Sequence, residues 1–270
     1  MSWIGRIIGV LLGWAMGRWL GAVIGFAVGH YFDRAWKNFR AQFNPEQRRK
    51  VELAMFHTIF PLLGRMAKAD GRVSEEEIQA AEILMDRMGL PNDLRDEAKR
   101  LFKQGVQPDF DLSTSMGEFI AVTSAYPHLK QLLLVYLITM AMSDHELHDN
   151  EIAILREVAF LLGYTEVAFN HLLRMVHAQN RFQQGHYRTG GTGYGGAKPQ
   201  EDRLALAYEA LGVTADTPDA DIKKAYRKLM SQYHPDKLVG QGVPEEMVKV
   251  ATERSQEIHA AYDLIKKSRA

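Results

Sequence analysis

The segment Ile222–Lys237, which reads IKKAYRKLMSQYHPDK, contains an amphipathic helix and the tripeptide that ends it. The apolar residues recur at the spacing of one helix face: Ile222, Ala225, Tyr226, Leu229 and Tyr233. Pro235 has no N–H group and biases His234 away from the α region, so the helix must end here. We therefore predict a helix that leads into a rigid polar turn, His234-Pro235-Asp236.

The opposite face of this helix is basic, with side chains at Lys223, Lys224, Arg227 and Lys228. Like charges four residues apart repel each other by roughly a few tenths of a kcal/mol, and such a run is usually a solvated surface. Because no acidic residue is interspersed among these four, the pattern favours a docking face for an acidic partner.

Two further helices are predicted around this segment. Leu204–Leu211 has helical spacing and is followed by Gly212, whereas Thr217 is suited to cap the basic helix and Pro218 to occupy its first turn. A third long helix follows Pro244, and its inward residues are Val248, Ala251, Ile258, Tyr262 and Ile265. The two longer helices therefore form an antiparallel hairpin with the polar turn at its tip.

Four blocks in this region, by their order and spacing, resemble a J-domain: Tyr208–Val213, Ile222–Leu229, Tyr233–Lys237 and Glu257–Tyr262. The resemblance implies that residues 201–270 dock on a cytosolic Hsp70 and stimulate its ATPase. It also implies the Hsp70-binding residues: His234, Pro235, Asp236, Lys223, Lys224, Arg227, Lys228 and Lys237. Ser255 departs from the family, which usually has a buried phenylalanine there.

An enzymatic role for the polar turn is the alternative interpretation, with His234 as a general base. General acid–base catalysis needs a second acid, base or nucleophile within hydrogen-bond reach, and the sequence places none beside His234. We predict that the chain has no catalytic residue, binds no cofactor and is not an enzyme.

The amino-terminal segment Ile7–Gly29 is apolar apart from Arg18. At about 1.5 Å per residue it reaches roughly 35 Å, which is enough to cross the bilayer core. A central arginine costs about 2.5–3.5 kcal/mol on insertion, and the many large apolar residues offset that cost. Residues 7–30 are therefore predicted to form a single transmembrane helix.

Glycine recurs at every fourth position along this segment: Gly5, Gly9, Gly13, Gly17, Gly21, Gly25 and Gly29. Small residues at this spacing let two membrane helices approach closely. These glycines form a stripe that winds slowly around the helix, because four residues exceed one turn of 3.6, so a partner helix contacts only part of it. We predict a homodimer through Gly9, Gly13, Gly17 and Gly21. The alternative is glycine used only for lipid packing or flexibility.

A cleaved signal peptide is the rival interpretation, since Ala27-Val28-Gly29 weakly resembles a cleavage site. Arg18 interrupts the apolar run, however, and the excess of positive charge follows the segment: Arg34, Lys37, Arg40, Arg48, Arg49 and Lys50. By the positive-inside rule, residues 1–6 are periplasmic and everything after the helix is cytoplasmic.

The middle of the chain contains an internal repeat. Ala67–Ile78 and Ala141–Ile152 align at a constant offset, which pairs Asp70 with Asp144 and Glu77 with Glu151. Each copy predicts a helix, an acidic turn and a second helix. Ser74 and His148 occupy the cap positions, where the glutamate three residues later completes a capping box.

Leu129–Met142 is apolar nearly all round and too short to cross a bilayer, which predicts a central buried helix. The acidic turns offer oxygen ligands at Asp70 and Asp144, but their spacing is not that of an EF-hand, and turn formation and capping account for them. We predict no metal site. The repeat resembles the TerB-like (tellurite-resistance-associated) helical domain, which implies an interaction role for residues 31–180.

Residues 181–200 hold six glycines, which predicts a flexible linker with a reach of about 25 Å and a tethered J-domain beyond it. Lys+Arg and Asp+Glu are both 33, so the chain is not a globally basic nucleic-acid binder, and no nucleic-acid partner is expected. The absence of cysteine excludes disulfides, cysteine-ligated metals and thiol nucleophiles.

The predicted fold is all-α, and the order of its parts resembles the membrane-anchored DnaJ-like co-chaperones of bacteria. That resemblance implies the Hsp70 DnaK as partner and a regulatory role at the inner membrane. It further implies a link to envelope signalling and to capsular polysaccharide (colanic acid) expression. The alternative is a metal-responsive or scaffold membrane protein that acts through the TerB-like domain.

Overall fold

The computed structural model describes residues 44–69, 71, 73, 75–142, 147–188 and 200–269. Every regular element in these ranges is an α-helix, which confirms the all-α prediction. The predicted membrane helix with its glycines Gly9, Gly13, Gly17 and Gly21 lies outside these ranges. Among the residues that are described, none of the helices combines the length and the apolar character that a membrane crossing requires.

The helices of the middle region are α1 (Pro45–Ala67), α2 (Glu75–Arg87), α3 (Asn92–Val106), α4 (Leu112–Val122), α5 (Pro127–Ala141), α6 (Asp149–Leu161) and α7 (Glu166–Arg188). Those of the carboxyl-terminal region are α8 (Gln200–Ala210), α9 (Asp219–Gln232), α10 (Pro235–Gly240) and α11 (Glu245–Ser268). The described residues from Lys50 onward form one compact unit that holds both regions.

Helix α5 lies at the centre of the middle domain, as the sequence predicts. Its buried residues are Leu129, Leu132, Leu133, Leu134, Val135, Tyr136, Leu137 and Ile138. Burying one such large apolar side chain contributes roughly 1.5–3 kcal/mol, so α5 supplies much of the free energy that holds α6 and α7 against it.

Helices α1 and α3 cross at backbone contact because two glycines face the crossing. A Cβ atom on Gly105 would lie 1.9 Å from the carbonyl oxygen of Pro61, and one on Gly64 would lie 2.1 Å from that of Phe102. Both separations are far below van der Waals contact, so any larger residue would force the helices apart.

The start of α6 confirms one predicted cap. The backbone N–H of His148 donates to Oε2 of Glu151 at 3.0 Å, as in a capping box. Ser74 and the acidic-turn residues Asp70 and Asp144 lie outside the described residues.

The predicted cap at Thr217 is wrong. Pro218 occupies the cap position of α9 and no side chain caps the helix. The Thr217 hydroxyl oxygen instead accepts the backbone N–H of Thr214 at 3.1 Å, so it stabilises the preceding turn.

Helix α7 extends into the predicted linker. It ends at Arg188 and buries Phe182, whereas the linker was expected to begin at residue 181. Residues 181–188 contain a single glycine, Gly185, which destabilises a helix by about 1 kcal/mol relative to alanine. The burial of Phe182 outweighs that cost. The glycine-rich residues 189–199 lie outside the described part of the chain.

The carboxyl-terminal helices form the predicted hairpin, with α9 packed against α11. The rings of Tyr226 and Tyr262 stack with centroids 4.2 Å apart, and the Tyr226 hydroxyl hydrogen-bonds Nδ1 of His259 at 3.0 Å. At the end of the hairpin opposite the polar turn, Arg269, which follows α11, donates to the hydroxyl of Tyr208 on α8 at 2.8 Å. The short helix α10, after the polar turn, was not predicted.

The carboxyl-terminal helices also pack on the middle domain, where the sequence predicted a tethered module. Helix α8 lies along α7, and α11 contacts both α5 and α7. The buried amide of Gln179 on α7 donates to the carbonyl of Ala210 at 2.9 Å. A shared apolar core runs through both regions, which a flexible connection alone would not provide.

Candidate functional site

The basic face of α9 is open to solvent. Ile222 and Leu229 on the opposite face are 2% and 6% exposed and fix the helix against the core. The four basic side chains are all exposed: Lys223, Lys224, Arg227 and Lys228. No ion pair is found for any of them among the described residues, so their charge is available to a partner.

The His234-Pro235-Asp236 turn joins α9 to α10. His234 occupies the cap position of α10 in an extended conformation, and Pro235 is its first helical residue. The carbonyl of His234 accepts the backbone N–H groups of Lys237 and Leu238, both at 3.2 Å. These bonds form the first turn of α10 and leave the side chains of His234 and Asp236 exposed.

The structure brings the proposed Hsp70-binding residues together on two consecutive helices, α9 and α10. Pro235 and Lys237 are half-buried, unlike the six others. Nζ of Lys237 lies 3.5 Å from the carbonyl oxygen of Ser231 at the end of α9. Lys237 therefore links the turn to the basic helix.

Tyr233 anchors the turn in the core. Its side chain is 1% exposed, and burial raises the pKa of its phenol to about 12. Among the described residues its hydroxyl has no hydrogen-bond partner of good geometry. Leu238, on the other side of the turn, is fully buried, so the tripeptide is held between two apolar anchors.

Two side chains of the middle domain contact the segments that flank the turn. Nε2 of Gln232, the last residue of α9, donates to Oε1 of Gln131 at 3.2 Å. Nε2 of His128 lies 2.8 Å from Oε1 of Gln241, which follows α10.

The protonation of His128 fits this contact. Burial lowers the pKa of its imidazole, and the nearby charge of Lys237 lowers it as well, although the bond to Gln241 acts in the opposite direction. A neutral ring with its proton on Nε2 donates to the glutamine oxygen. Sequence reasoning missed His128 and Gln131, since neither belongs to a motif and only the packing of the two domains brings them to the turn.

A buried ion pair lies at the same interface. Arg254 and Glu257 on α11 are 2% and 7% exposed, and the guanidinium donates to the carboxylate at 2.9 Å. The second terminal nitrogen of Arg254 donates to Oγ1 of Thr139 on α5, also at 2.9 Å. Burial raises the pKa of Glu257 to about 7 and outweighs the attraction of Arg254.

The departure at Ser255 has a local consequence only. Its side chain is half-buried, and its hydroxyl donates to the carbonyl of Thr252 one turn earlier at 2.7 Å. The neighbouring Arg254 makes the contact with the middle domain.

The acidic repeat brings two of its members to one small cavity. Glu77 and Glu151 both line a space of about 70 Å³, together with apolar side chains that include Leu63, Met66 and Met140. In the described ranges, no group of three or more potential metal ligands occurs.

Comparison with protein families finds three matches in chain order. Residues 1–50 match the "Co-chaperone DjlA transmembrane domain", residues 58–174 match "Tellurite resistance protein TerB" and residues 206–270 match the "DnaJ domain". The regions therefore carry the domains that the sequence resembles. No solved structure matches the chain.

Curated relatives are similar over nearly the whole length. "Co-chaperone protein DjlA" of Photobacterium profundum is 38% identical over 98% of both chains. The protein of the same name in Coxiella burnetii is 37% identical over 100% of this chain and 99% of its own. That of Shewanella oneidensis is 43% identical over 79% of this chain and 78% of its own.

The raised pKa of Glu257 predicts a pH-dependent stability. A carboxyl whose pKa rises from 4.5 to about 7 on folding stabilises the fold fully below pH 4.5. This contribution is lost as the pH rises through 7. Between pH 5 and 8, the free energy of unfolding of residues 44–270 should fall more steeply for the wild type than for Glu257→Gln, by on the order of 2 kcal/mol.

Urea unfolding across this pH range measures the difference. Glu157→Gln, which changes an exposed carboxyl on α6, is the control and should keep the wild-type slope. A Glu257→Gln protein with the same pH dependence as the wild type would show that this carboxyl does not titrate at neutral pH.

Proposed function

The chain belongs to the DjlA family of membrane-anchored co-chaperones, and on this premise we propose that its J-domain recruits the Hsp70 DnaK to the inner membrane and stimulates its ATPase. One observation carries the proposal: the exposed His234 and Asp236 lie next to a basic helix face that forms no ion pair within the described part of the chain. A partner with an acidic docking surface would meet both features at once.

This mechanism requires no catalytic group in the J-domain itself. A regulator accelerates its partner's ATPase by binding one conformation of that ATPase more tightly than another. In our proposal, the basic face supplies long-range attraction and orientation. The His-Pro-Asp turn supplies the short-range contact that distinguishes the two conformations.

The location of the partner requires one topology. We propose that residues 1–6 are periplasmic, that residues 7–30 span the inner membrane and that the remainder is cytoplasmic. The positive residues that follow the apolar segment support this orientation. DnaK is then within reach of the J-domain.

The middle domain is the part that we expect to select a client. Its packing against the J-domain would keep a bound client close to the recruited Hsp70. The link to envelope signalling and colanic acid expression that the family resemblance implies belongs to the same proposal, as the regulatory output of that client.

His234→Gln should abolish most of the ATPase stimulation. The substitution removes the imidazole from the exposed turn and leaves Tyr233 and Leu238, which anchor it, in place. With the full chain in lipid nanodiscs, steady-state ATP turnover of DnaK is expected to show about tenfold less stimulation, roughly 1.4 kcal/mol of lost coupling.

His177→Gln, at an exposed histidine of α7, is the matched control and should stimulate like the wild type. In cells, the same His234→Gln change should remove the effect on colanic acid expression. Undiminished stimulation by His234→Gln would show that the site assignment is wrong.

Charge reversal on α9 should weaken docking through electrostatics. Lys224→Glu with Arg227→Glu replaces two exposed cations by anions and should raise the half-saturating concentration of DnaK about tenfold at low salt. Because salt screens such attraction, the affinity of the variant should also depend less on ionic strength than that of the wild type.

The matched control is Lys266→Glu with Lys267→Glu, an equal charge change at exposed positions near the end of α11. Equal affinities for the α9 variant and this control at low salt would contradict a specific basic docking face.

We also propose that the glycine stripe mediates a homodimer in the membrane. Gly13→Leu with Gly17→Leu places large side chains where two helices would touch, so the yield of crosslinked dimer in native membranes should fall several-fold.

Ala15→Leu with Ala22→Leu adds the same bulk away from the stripe and should leave the crosslinking yield unchanged. A dimer that survives the glycine substitutions would assign these residues to lipid packing.

A further inference from the structure

We infer that the amino-terminal end of α5, in the middle domain, positions the His-Pro-Asp turn for the Hsp70, with His128 and Gln131 as the positioning residues. The effect on Hsp70 activation rests on the proposed function, whereas the hydrogen bonds of His128 and Gln131 are present in the chain without a partner. It assigns to the middle domain a part in Hsp70 activation that is separate from client selection.

The two contacts bracket the tripeptide. Gln232 ends α9 and hydrogen-bonds Gln131, whereas Gln241 follows α10 and hydrogen-bonds His128. His234, Pro235 and Asp236 therefore lie between two points that are both attached to the same helical turn. A displacement of either end of the segment would break one of these bonds.

The attachment points are themselves fixed. His128 and Gln131 are three residues apart on α5 and so lie on one face of that helix. The intervening Leu129 and the adjacent Leu132 are each 1% exposed in the core of the middle domain. A turn that is hydrogen-bonded to α5 is therefore held by a helix whose core-facing side chains are almost fully buried.

The environment of the contacts makes them difficult to replace with water. Gln241 is 4% exposed, and Tyr233 beside Gln131 is 1% exposed. When the partner of a buried amide is removed, the amide oxygen loses its hydrogen bond without gaining a solvent molecule. Loss of His128 would therefore release Gln241 and the end of α10.

A rigid His-Pro-Asp turn affects how strongly Hsp70 binding is coupled to ATP hydrolysis. An Hsp70 must meet the exposed tripeptide and the basic face of α9 together, and only the short segment around Tyr233 joins them. Fixing that segment in advance removes the entropic cost of ordering it in the complex. These two hydrogen bonds, His128–Gln241 and Gln131–Gln232, are called the clamp below. The clamp should raise the maximal ATPase stimulation more than it changes the long-range attraction between Hsp70 and the basic face.

The test uses the full chain in lipid nanodiscs and the double variant His128→Ala with Gln131→Ala. Without Hsp70, amide hydrogen exchange of residues 233–241 should become about tenfold faster, while that of α6 and α11 stays unchanged. With DnaK, maximal ATPase stimulation should fall several-fold, and the half-saturating concentration should change less than twofold.

Two further variants separate positioning from general destabilisation. His128→Gln with Gln131→Glu keeps one donor and one acceptor at these positions and should restore both readouts. His177→Ala with Gln104→Ala removes the same residue types from exposed positions and should behave as the wild type. If the double variant loses protection throughout residues 50–270, Gln131→Ala alone decides the question by the same readouts.

Unchanged exchange at residues 233–241 overturns the clamp, whatever the ATPase does. Faster exchange with full stimulation overturns its role in activation. A wild-type chain that fails to stimulate DnaK refutes the proposed function instead, and hydrogen exchange then still decides whether the middle domain holds the turn.

Discussion

The burial of Arg254 between the two domains is the constraint on which the arrangement of residues 50–270 depends. A guanidinium at 2% exposure must be paired, and its partners come from both sides: Glu257 on its own helix and Thr139 on α5. Sliding α11 along α5 would leave the charge buried without one of them. The bond from Arg254 to Thr139 therefore fixes the register of the J-domain on the middle domain, while the shared apolar core supplies most of the free energy.

Helix α5 connects that interface to the proposed docking site. Thr139, near its carboxyl end, contacts Arg254, whereas His128 and Gln131, at its amino end, contact the segments on either side of the tripeptide. One rigid, buried helix thus sets both the position of the J-domain and the conformation of its polar turn. A change at the middle domain that shifts α5 would reach the turn through packed side chains and hydrogen bonds.

Much of the fold was predictable because local signals agree with the final packing. The apolar periodicity of α9 and α11, the buried run of α5 and the cap at Glu151 each depend on neighbours a few residues away. The tripeptide and the basic face of α9 are also predictable, because their residues lie close together in the sequence. Two predictions failed. Helix α7 extends into the predicted linker as far as Arg188, because Phe182 is buried against apolar residues that the local sequence does not reveal. Thr217 accepts a hydrogen bond from Thr214, three residues earlier, instead of capping α9. The contacts of His128 and Gln131 carry no sequence signal, since isolated polar residues become informative only when a second domain packs on them.

The central claim is that the middle domain and the J-domain form one cooperative unit. Because the chain has no cysteine, a single fluorophore can be attached to Ala153→Cys on α6 or to Lys266→Cys on α11, both exposed positions. The account predicts that urea unfolding of residues 44–270 gives coincident transitions for the two labels. A J-domain label that reports unfolding at a clearly lower urea concentration than the middle-domain label would contradict it.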